Sequence, residues 1–198
     1  MGVEFELKYK ATEEKQNMLL PLSNSWQTIS METTYYDTPS LALSAIHFTL
    51  RRRLENGVSV CTVKTPALGN SRGEWEVEAE DIQSAIAELC KLGAPKELEG
   101  ITAAGVIPLC GARFQRRAAL LTHGNTLVEI ALDSGELFSG SRHIPLCEVE
   151  VELKSGDPAE ATAFAAAIAG RCGLQPETMS KFRRALALFK EEHVNGTA

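Results

Sequence analysis

The chain has 198 residues, 44% of them hydrophobic and 23% charged, with a formal net charge of -6. This is the balance of one ordinary soluble domain, long enough to bury a sizeable core. The negative charge argues against a non-specific nucleic-acid binder or a binder of anionic membranes, because both need a positive field. It leaves room for a small anion held in a local basic pocket.

The five cysteines, Cys61, Cys90, Cys110, Cys147 and Cys172, are an odd number without a CxxC pair. Reduced thiols are therefore expected, with neither a disulfide framework nor a zinc site. No signal-peptide pattern opens the chain and no apolar run is long enough to cross a bilayer. The expected location is the cytoplasm.

In chain order, residues 3–10 alternate as a strand. "TEEKQNMLL" reads as a short helix with Thr12 as N-cap. "TTYYDTP" reads as a strand broken at Pro39, with Asp37 as a turn residue. "FTLRRRLENGVSVCTVKTP" is a hairpin turning at Asn56-Gly57, and "SRGEWEVEAE" alternates again. Asp81 caps a helix whose stripe is Ile82, Ala85, Ile86 and Leu89, and Gly93 ends it. "LEGITAAGVIPL" reads as a short helix. "ARFQRRAALLTHGNTLVEIALDSGEL" reads as a hairpin followed by a turn, and "HIPLCEVEVELKSGD" as a strand. Asp157, Pro158, Glu160 and Gly173 mark a helix start, capping box and stop in order. A last helix, "SKFRRALALFKEE", carries Phe182, Leu186 and Phe189 on one face, and the tail "HVNGTA" is expected to fray. The sum is an α+β chain dominated by antiparallel strands, in a barrel or a sandwich.

The strands segregate their charge. Glu4, Glu6 and Lys8 oppose Val3, Phe5 and Leu7; Glu74, Glu76, Glu78 and Glu80 oppose Trp75, Val77 and Ala79. Glu129 and Asp133 oppose Val128, Ile130 and Leu132; Glu148, Glu150, Glu152 and Lys154 oppose Cys147, Val149, Val151 and Leu153. Arg51 and Arg53 share a face, and Lys64 follows in the paired strand. A sheet with one solvated face gives the same alternation, which shows segregation and not direction. Two features weigh against that reading. Like charges side by side on one face destabilise a sheet, by roughly 4 kcal/mol for two carboxylates at about 4 Å and an effective dielectric near 20. Such faces call for divalent cations beside the acids and an anion beside the bases. At least three helices also have apolar stripes to bury. If they cover the apolar faces from outside, the charged faces turn into a closed barrel able to hold one small ligand.

The remaining candidates carry less. His47, His123, His143 and His193 form no ligand spacing, Ser23, Ser25 and Ser30 have no adjacent base, and no GxGxxG or Walker sequence occurs. Trp75 and Phe164 are expected in the core.

The motifs "EFELK", "YYDTPSLAL", "LRRR" followed by "VKT", "RGEWEV", "RFQRR", "VEIALDSGEL", "CEVEVELKSGD" and "SKFRRAL" resemble, in order and rough spacing, those of the CYTH domains, or triphosphate tunnel metalloenzymes. The likeness runs from Val3 to about Phe189 and is nearest to the bacterial inorganic triphosphatases. It implies one domain over residues 1–198, and leaves open whether the chain stands alone or comes from a longer one with a helical CHAD domain. It also implies an eight-stranded antiparallel barrel, open at both ends, with a charged lumen and helices packed outside.

The resemblance carries over residue by residue. Glu4, Glu6, Glu74, Glu76, Glu129, Asp133, Glu148 and Glu150 match metal-binding acids, with Glu152 as a further candidate. Lys8, Arg51, Arg53, Lys64, Arg116, Lys181 and Arg184 match substrate-binding bases, and Lys8, Arg53 and Glu6 are the residues placed nearest the catalysis. Arg52 and Ala119 depart from the family pattern, and Arg113 and Arg117 have no firm counterpart. The chemistry is coherent: arginine forks grip phosphate, while carboxylates hold Mg²⁺ or Mn²⁺, and two ions are expected.

The implied activity is metal-dependent hydrolysis of tripolyphosphate to pyrophosphate and phosphate. An adenylyl cyclase, a thiamine triphosphatase or another nucleoside triphosphatase are alternatives of the same fold. A non-catalytic polyphosphate-binding module and a structural domain with a solvated charged face are alternatives of other classes. The expected partner is a small-molecule substrate, with no nucleic acid and no membrane; the sequence leaves the oligomeric state undetermined.

Overall fold

A computed structural model describes residues 2–66 and 71–195; the side chains of residues 2–4, 71–72 and 192–195 lie outside that description. The strands are β1 (Gly2–Lys10), β2 (Gln27–Asp37), β3 (Thr49–Glu55), β4 (Val58–Lys64), β5 (Ser71–Glu78), β6 (Ile107–His123), β7 (Thr126–Ser139), β8 (Arg142–Ser155) and β9 (Gln175–Pro176). The helices are α1 (Glu13–Asn17), α2 (Ala42–Ala45), α3 (Ile82–Lys91), α4 (Glu97–Thr102), α5 (Pro158–Cys172) and α6 (Lys181–Asn195).

All the strands join one sheet in the order β5-β4-β3-β2-β6-β7-β8-β1-β9, and every pairing is antiparallel. The first strand is shared. Gly2 to Phe5 pair with β5, while Glu6 to Lys10 pair with β8. The count is nine strands where eight were expected; the addition is the two-residue β9, which pairs with Tyr9 and Lys10.

Local chemistry explains most boundaries. The β3–β4 hairpin turns at Asn56 (φ 50°) and Gly57 (φ 90°), the pair of positive angles that this tight turn needs. Asp37 is fully buried and accepts from the backbone N–H groups of Thr38, Leu43 and Ser44 and from the Ser44 hydroxyl, which fixes the turn into α2. Asp81 accepts from Gln83 and Ser84 at the start of α3, as its capping role requires. Trp75 is buried beneath α3, and Phe164 packs against the cluster under α5.

Three local expectations need correction. The turn expected in "DSGEL" does not form, because β7 runs straight through to Ser139. Gly135 permits this: a Cβ there would lie 2.1 Å from the Arg113 carbonyl oxygen and 2.6 Å from the Phe114 Cα of β6. The helix expected in "LEGITAAGVIPL" stops at Thr102; Gly105 (φ 95°) redirects the chain, and Ile107 opens β6. The capping box at α5 is not closed by Glu160. Asp157 caps through its own carboxylate to the Ala159 N–H, but its backbone N–H donates to Thr126 Oγ1, whose hydroxyl donates to Glu160 at 2.5 Å.

Two clusters cover the apolar face. Ala161, Ala165, Ile168 and Cys172 of α5 pack on Ile130, Leu132, Val149 and Val151; Ile82, Ala85, Ile86 and Leu89 of α3 pack on Leu50, Cys61, Val63 and Trp75. Each fully buried aliphatic side chain contributes about 1.5–3 kcal/mol.

The expectation that every helix packs outside fails for α6. Phe182, Ala185 and Leu186 pack on Met31, Tyr35, Phe114, Leu137 and Leu146. Leu146 shares its strand face with Glu148 and Glu150, and Phe114 shares its own with Arg116, because side chains two residues apart point the same way. Helix α6 therefore lies on the charged side of the sheet. The long strands turn apolar beyond their ionic stretch, and the Phe182/Leu186/Phe189 stripe buries that surface. A channel left open at both ends did not allow for a helix in this place.

Candidate functional site: a charged cavity

The charged faces surround a cavity of about 740 Å³. That volume suits a small-molecule ligand. Among the residues expected at the site, Glu6, Lys8, Arg51, Arg53, Lys64, Glu74, Glu76, Arg116, Glu129, Glu150 and Lys181 line it. Glu4 is in β1, but its side chain lies outside the described residues. Asp133, Glu148 and Arg184 are not among the lining residues, and both acids are fully buried.

The acid wall is built on β7 and β8, where Asp133 and Glu148 are directly opposed across the pairing. Ligand atoms from Asp133, Glu148 and Glu150 lie within 4.8 Å of one another. Cations of the chain converge on them. Arg116 grips Asp133 with two bonds of 2.8 Å and also reaches Glu150. Lys181 lies 2.8 Å from Asp133 and 2.9 Å from Glu150, and also contacts Glu148. Arg184 completes the set on Glu148.

The protonation equilibria record this matching. Burial pushes the Glu150 carboxyl up, but Lys181 and Arg116 outweigh it and hold the group well below the usual carboxylate range. Burial dominates at Glu148, which is raised despite Lys181. Burial opposes the charges on Lys181 and Arg116, yet Asp133 and Glu150 more than offset it, so both hold their protons above their ordinary values. The donor set fits a divalent ion of hard character: three carboxylates in reach of one point, all oxygen donors.

The basic wall is different. Arg51 and Lys64 share one carboxylate, Glu74, at 3.5 and 3.1 Å. Arg53 pairs with Glu55 of its own strand. Burial lowers the Arg53 guanidinium from its ordinary value, Arg51 beside it lowers it further, and Glu55 only partly compensates. The Nε–H groups of Arg51 and Arg53 are buried and have no hydrogen-bond partner among the described residues. Buried donors of this kind are costly unless an acceptor reaches them.

Sequence reasoning missed Glu55, although it stands two residues after Arg53 and so shares its face. It also missed the uncharged lining of Thr33, Tyr35, Phe114 and Phe182, which carried no ionic signal to single it out. Arg113 is half-exposed; its ion pairs with Glu32 and Glu136 are 3.6 and 3.8 Å. Arg52, the departure in "LRRR", pairs outward with Ser59 and Glu80.

The fold is thus an antiparallel α+β sheet around a cavity lined by opposed acids and bases. The chain belongs to the CYTH domain family, whose sequence profile matches residues 2–186. It is similar to an inorganic triphosphatase of Haemophilus influenzae, 25% identical over 170 residues, which are 84% of this chain and 48% of that protein. The chain thus spans about half the length of the curated relative it matches. Among solved structures it resembles the PH1819 protein of Pyrococcus horikoshii OT3, with a TM-score of 0.65 and 22% identity over 93% of this chain and 98% of the other. It also resembles HpAC1 of Hippeastrum, described as an adenylyl cyclase candidate with a dominant triphosphatase activity, at a TM-score of 0.60 and 18% identity over 97% and 96% of the two chains. No helix among the described residues is long and apolar enough to cross a membrane.

Proposed function

We propose that the chain hydrolyses inorganic triphosphate to pyrophosphate and phosphate inside this cavity, with a divalent cation as cofactor. The observation that carries the reading is the pair Arg51 and Arg53, which line the cavity from one strand face and whose buried Nε–H groups have no partner among the described residues. Phosphate oxygens beside the two guanidinium groups would supply acceptors, and their charge would offset the burial and the Arg51 repulsion that lower Arg53. The additional β1–β5 pairing supports reading the first eight strands as a closed tunnel around the ligand. We take the 198 residues as one domain.

In this reading Arg51, Arg53, Lys64 and Lys8 bind the phosphate chain, and Arg53 and Arg116 stabilise charge on the transferring group. Lys181 and Arg184 orient the acids behind it. Asp133, Glu148 and Glu150 would hold one Mg²⁺ or Mn²⁺, and Glu6, Glu74, Glu76 and Glu129 are the acids left for a second. The cation supplies charge neutralisation and lowers the pKa of a bound water. Glu6, 3.1 Å from Lys8, is placed to fix the ammonium beside the phosphate. The 25% identity to an inorganic triphosphatase favours tripolyphosphate over a nucleoside triphosphate or thiamine triphosphate.

The test is phosphate release from tripolyphosphate, ATP and thiamine triphosphate compared with Mg²⁺ and with Mn²⁺. Tripolyphosphate should give the highest kcat/KM, and Glu6→Gln, still folded, should lose most of it. Preferred turnover of ATP would move the assignment to a nucleotide enzyme. Tight binding without turnover would make the chain a polyphosphate-binding module.

A further inference from the structure

Gln16 is fully buried, although it belongs to the short helix α1 on the apolar side of the sheet. Its side-chain amide donates to two backbone carbonyls, that of Asp133 at 2.9 Å and that of Glu148 at 3.0 Å. Its own oxygen accepts from the Ser134 hydroxyl at 2.8 Å. Both amide protons are thus used, and both go to the backbone of acids that face each other across β7 and β8. A carbonyl has two lone pairs, so a strand residue can keep its ladder bond and still accept this one. Ser134 and Cys147, the next cross-strand pair, point to the Gln16 side, while the carboxylates of Asp133 and Glu148 point to the other.

A leucine would fill this volume without needing partners, and a buried amide is favourable only while its hydrogen bonds are made. The particular partners matter. Gln16 ties together the two main-chain positions from which two fully buried carboxylates project. Lys181 neutralises both acids in this state. With a metal in the ammonium's place, Asp133 and Glu148 would have to keep their separation without Lys181. Mg²⁺ tolerates little error, demanding near-octahedral oxygen ligands at about 2.0–2.1 Å, whereas Ca²⁺ accepts irregular sets at roughly 2.3–2.6 Å.

We propose that Gln16 is a positioning residue for the divalent-cation site: from behind the sheet it clamps the spacing of Asp133 and Glu148 and so tunes the site to a small ion. This rests on reading the cavity as a cation-and-phosphate site. Groups that orient metal ligands from outside the coordination sphere typically change affinity by 10- to 100-fold when removed.

The test is direct Mn²⁺ binding to phosphate-free protein by electron paramagnetic resonance, with Ca²⁺ affinity measured by competition. Gln16→Met keeps the length and loses the amide. Its Mn²⁺ Kd should rise about tenfold while its Ca²⁺ Kd stays within about twofold. An unchanged Mn²⁺ Kd, or parallel weakening of both ions, would overturn the clamp. Should Gln16→Met fail to fold, Ser134→Ala removes only the hydroxyl that steadies the Gln16 oxygen. A smaller shift in the same sense, about two- to threefold, is then required, and no shift overturns the proposal. Wild-type protein that binds no Mn²⁺ overturns the clamp and the cation assignment together. Wild-type binding matched by an equal variant overturns the clamp alone.

Discussion

On the wall formed by β7 and β8, Asp133, Glu148 and Glu150 each meet cations supplied by the chain: Arg116, Lys181 and Arg184. On β3, Arg51 and Arg53 lie side by side with buried Nε–H groups unpaired among the described residues. The first wall is neutralised internally, and its Arg116 and Lys181 hold their protons more tightly than usual. The second is under-neutralised, and Arg53 holds its proton less tightly than usual. One protein thus carries acids matched by several cations of the chain and a pair of neighbouring arginines matched by fewer acids. Removing a cation of the chain should cost mainly stability on the first wall and mainly activity on the second.

The sharpest way to break this contrast is Lys181→Met. It removes the central cation from two fully buried acids and the part-buried Glu150, and breaking such a cluster from one side costs about 3–5 kcal/mol. Urea unfolding at neutral pH should show that loss; an unchanged midpoint would mean that Arg116 and Arg184 suffice.

Arg53→Met tests the opposite wall. It should lower kcat/KM for tripolyphosphate by roughly 100-fold, the effect typical of one lost charge-stabilising donor. The melting temperature should not fall, since the substitution removes a like-charge contact with Arg51. A large loss of stability with normal activity would invert the assignment of the two walls.

Glu150→Gln sharpens the comparison through pH. The Glu150 carboxyl is held well below its ordinary value of 4.5. Its charge therefore stabilises the fold above that value, and the benefit is lost as the pH falls through the lower folded-state value. The variant should be less stable than the parent at pH 7, and their unfolding curves should converge only well below pH 4.5. Convergence already near neutrality would contradict the matching described for this wall.

The smallest effect is expected outside the cavity. Arg113 is half-exposed, its ion pairs are long, and its guanidinium lies over the Phe138 ring at 4.5 Å. Arg113→Gln should change stability by less than about 1 kcal/mol and leave hydrolysis unaltered. A clear activity loss would show that the outer face takes part in the chemistry.

The ionic set was legible in the sequence because strand alternation places residues on faces without reference to anything distant. Glu6 and Lys8, Arg51 and Arg53, and Glu148 and Glu150 each declare a shared face by a spacing of two. The caps at Thr12, Asp81 and Asp157 were readable for a similar reason: each acts within a few residues of itself. What failed involved partners far along the chain. The turn expected at Ser134-Gly135 is absent because Gly135 allows β6 to come close. Glu160 turned from its capping role because Thr126, 34 residues away, was nearer to hand. Gln16 gave no signal, since its partners lie 117 and 132 residues away.

The sequence by itself determined which side chains travel together: the alternation, the hairpin at Asn56-Gly57, the apolar stripes, and the ordered motifs of the CYTH domain. Tertiary structure alone decided where those faces point, which helix enters the charged side, and which charges find partners within the chain. The physical reason is range. Alternation and capping are set by backbone geometry over one to four residues. Neutralisation of a buried charge depends on which distant strands and helices bring an opposite charge within about 4 Å, where its energy changes most steeply.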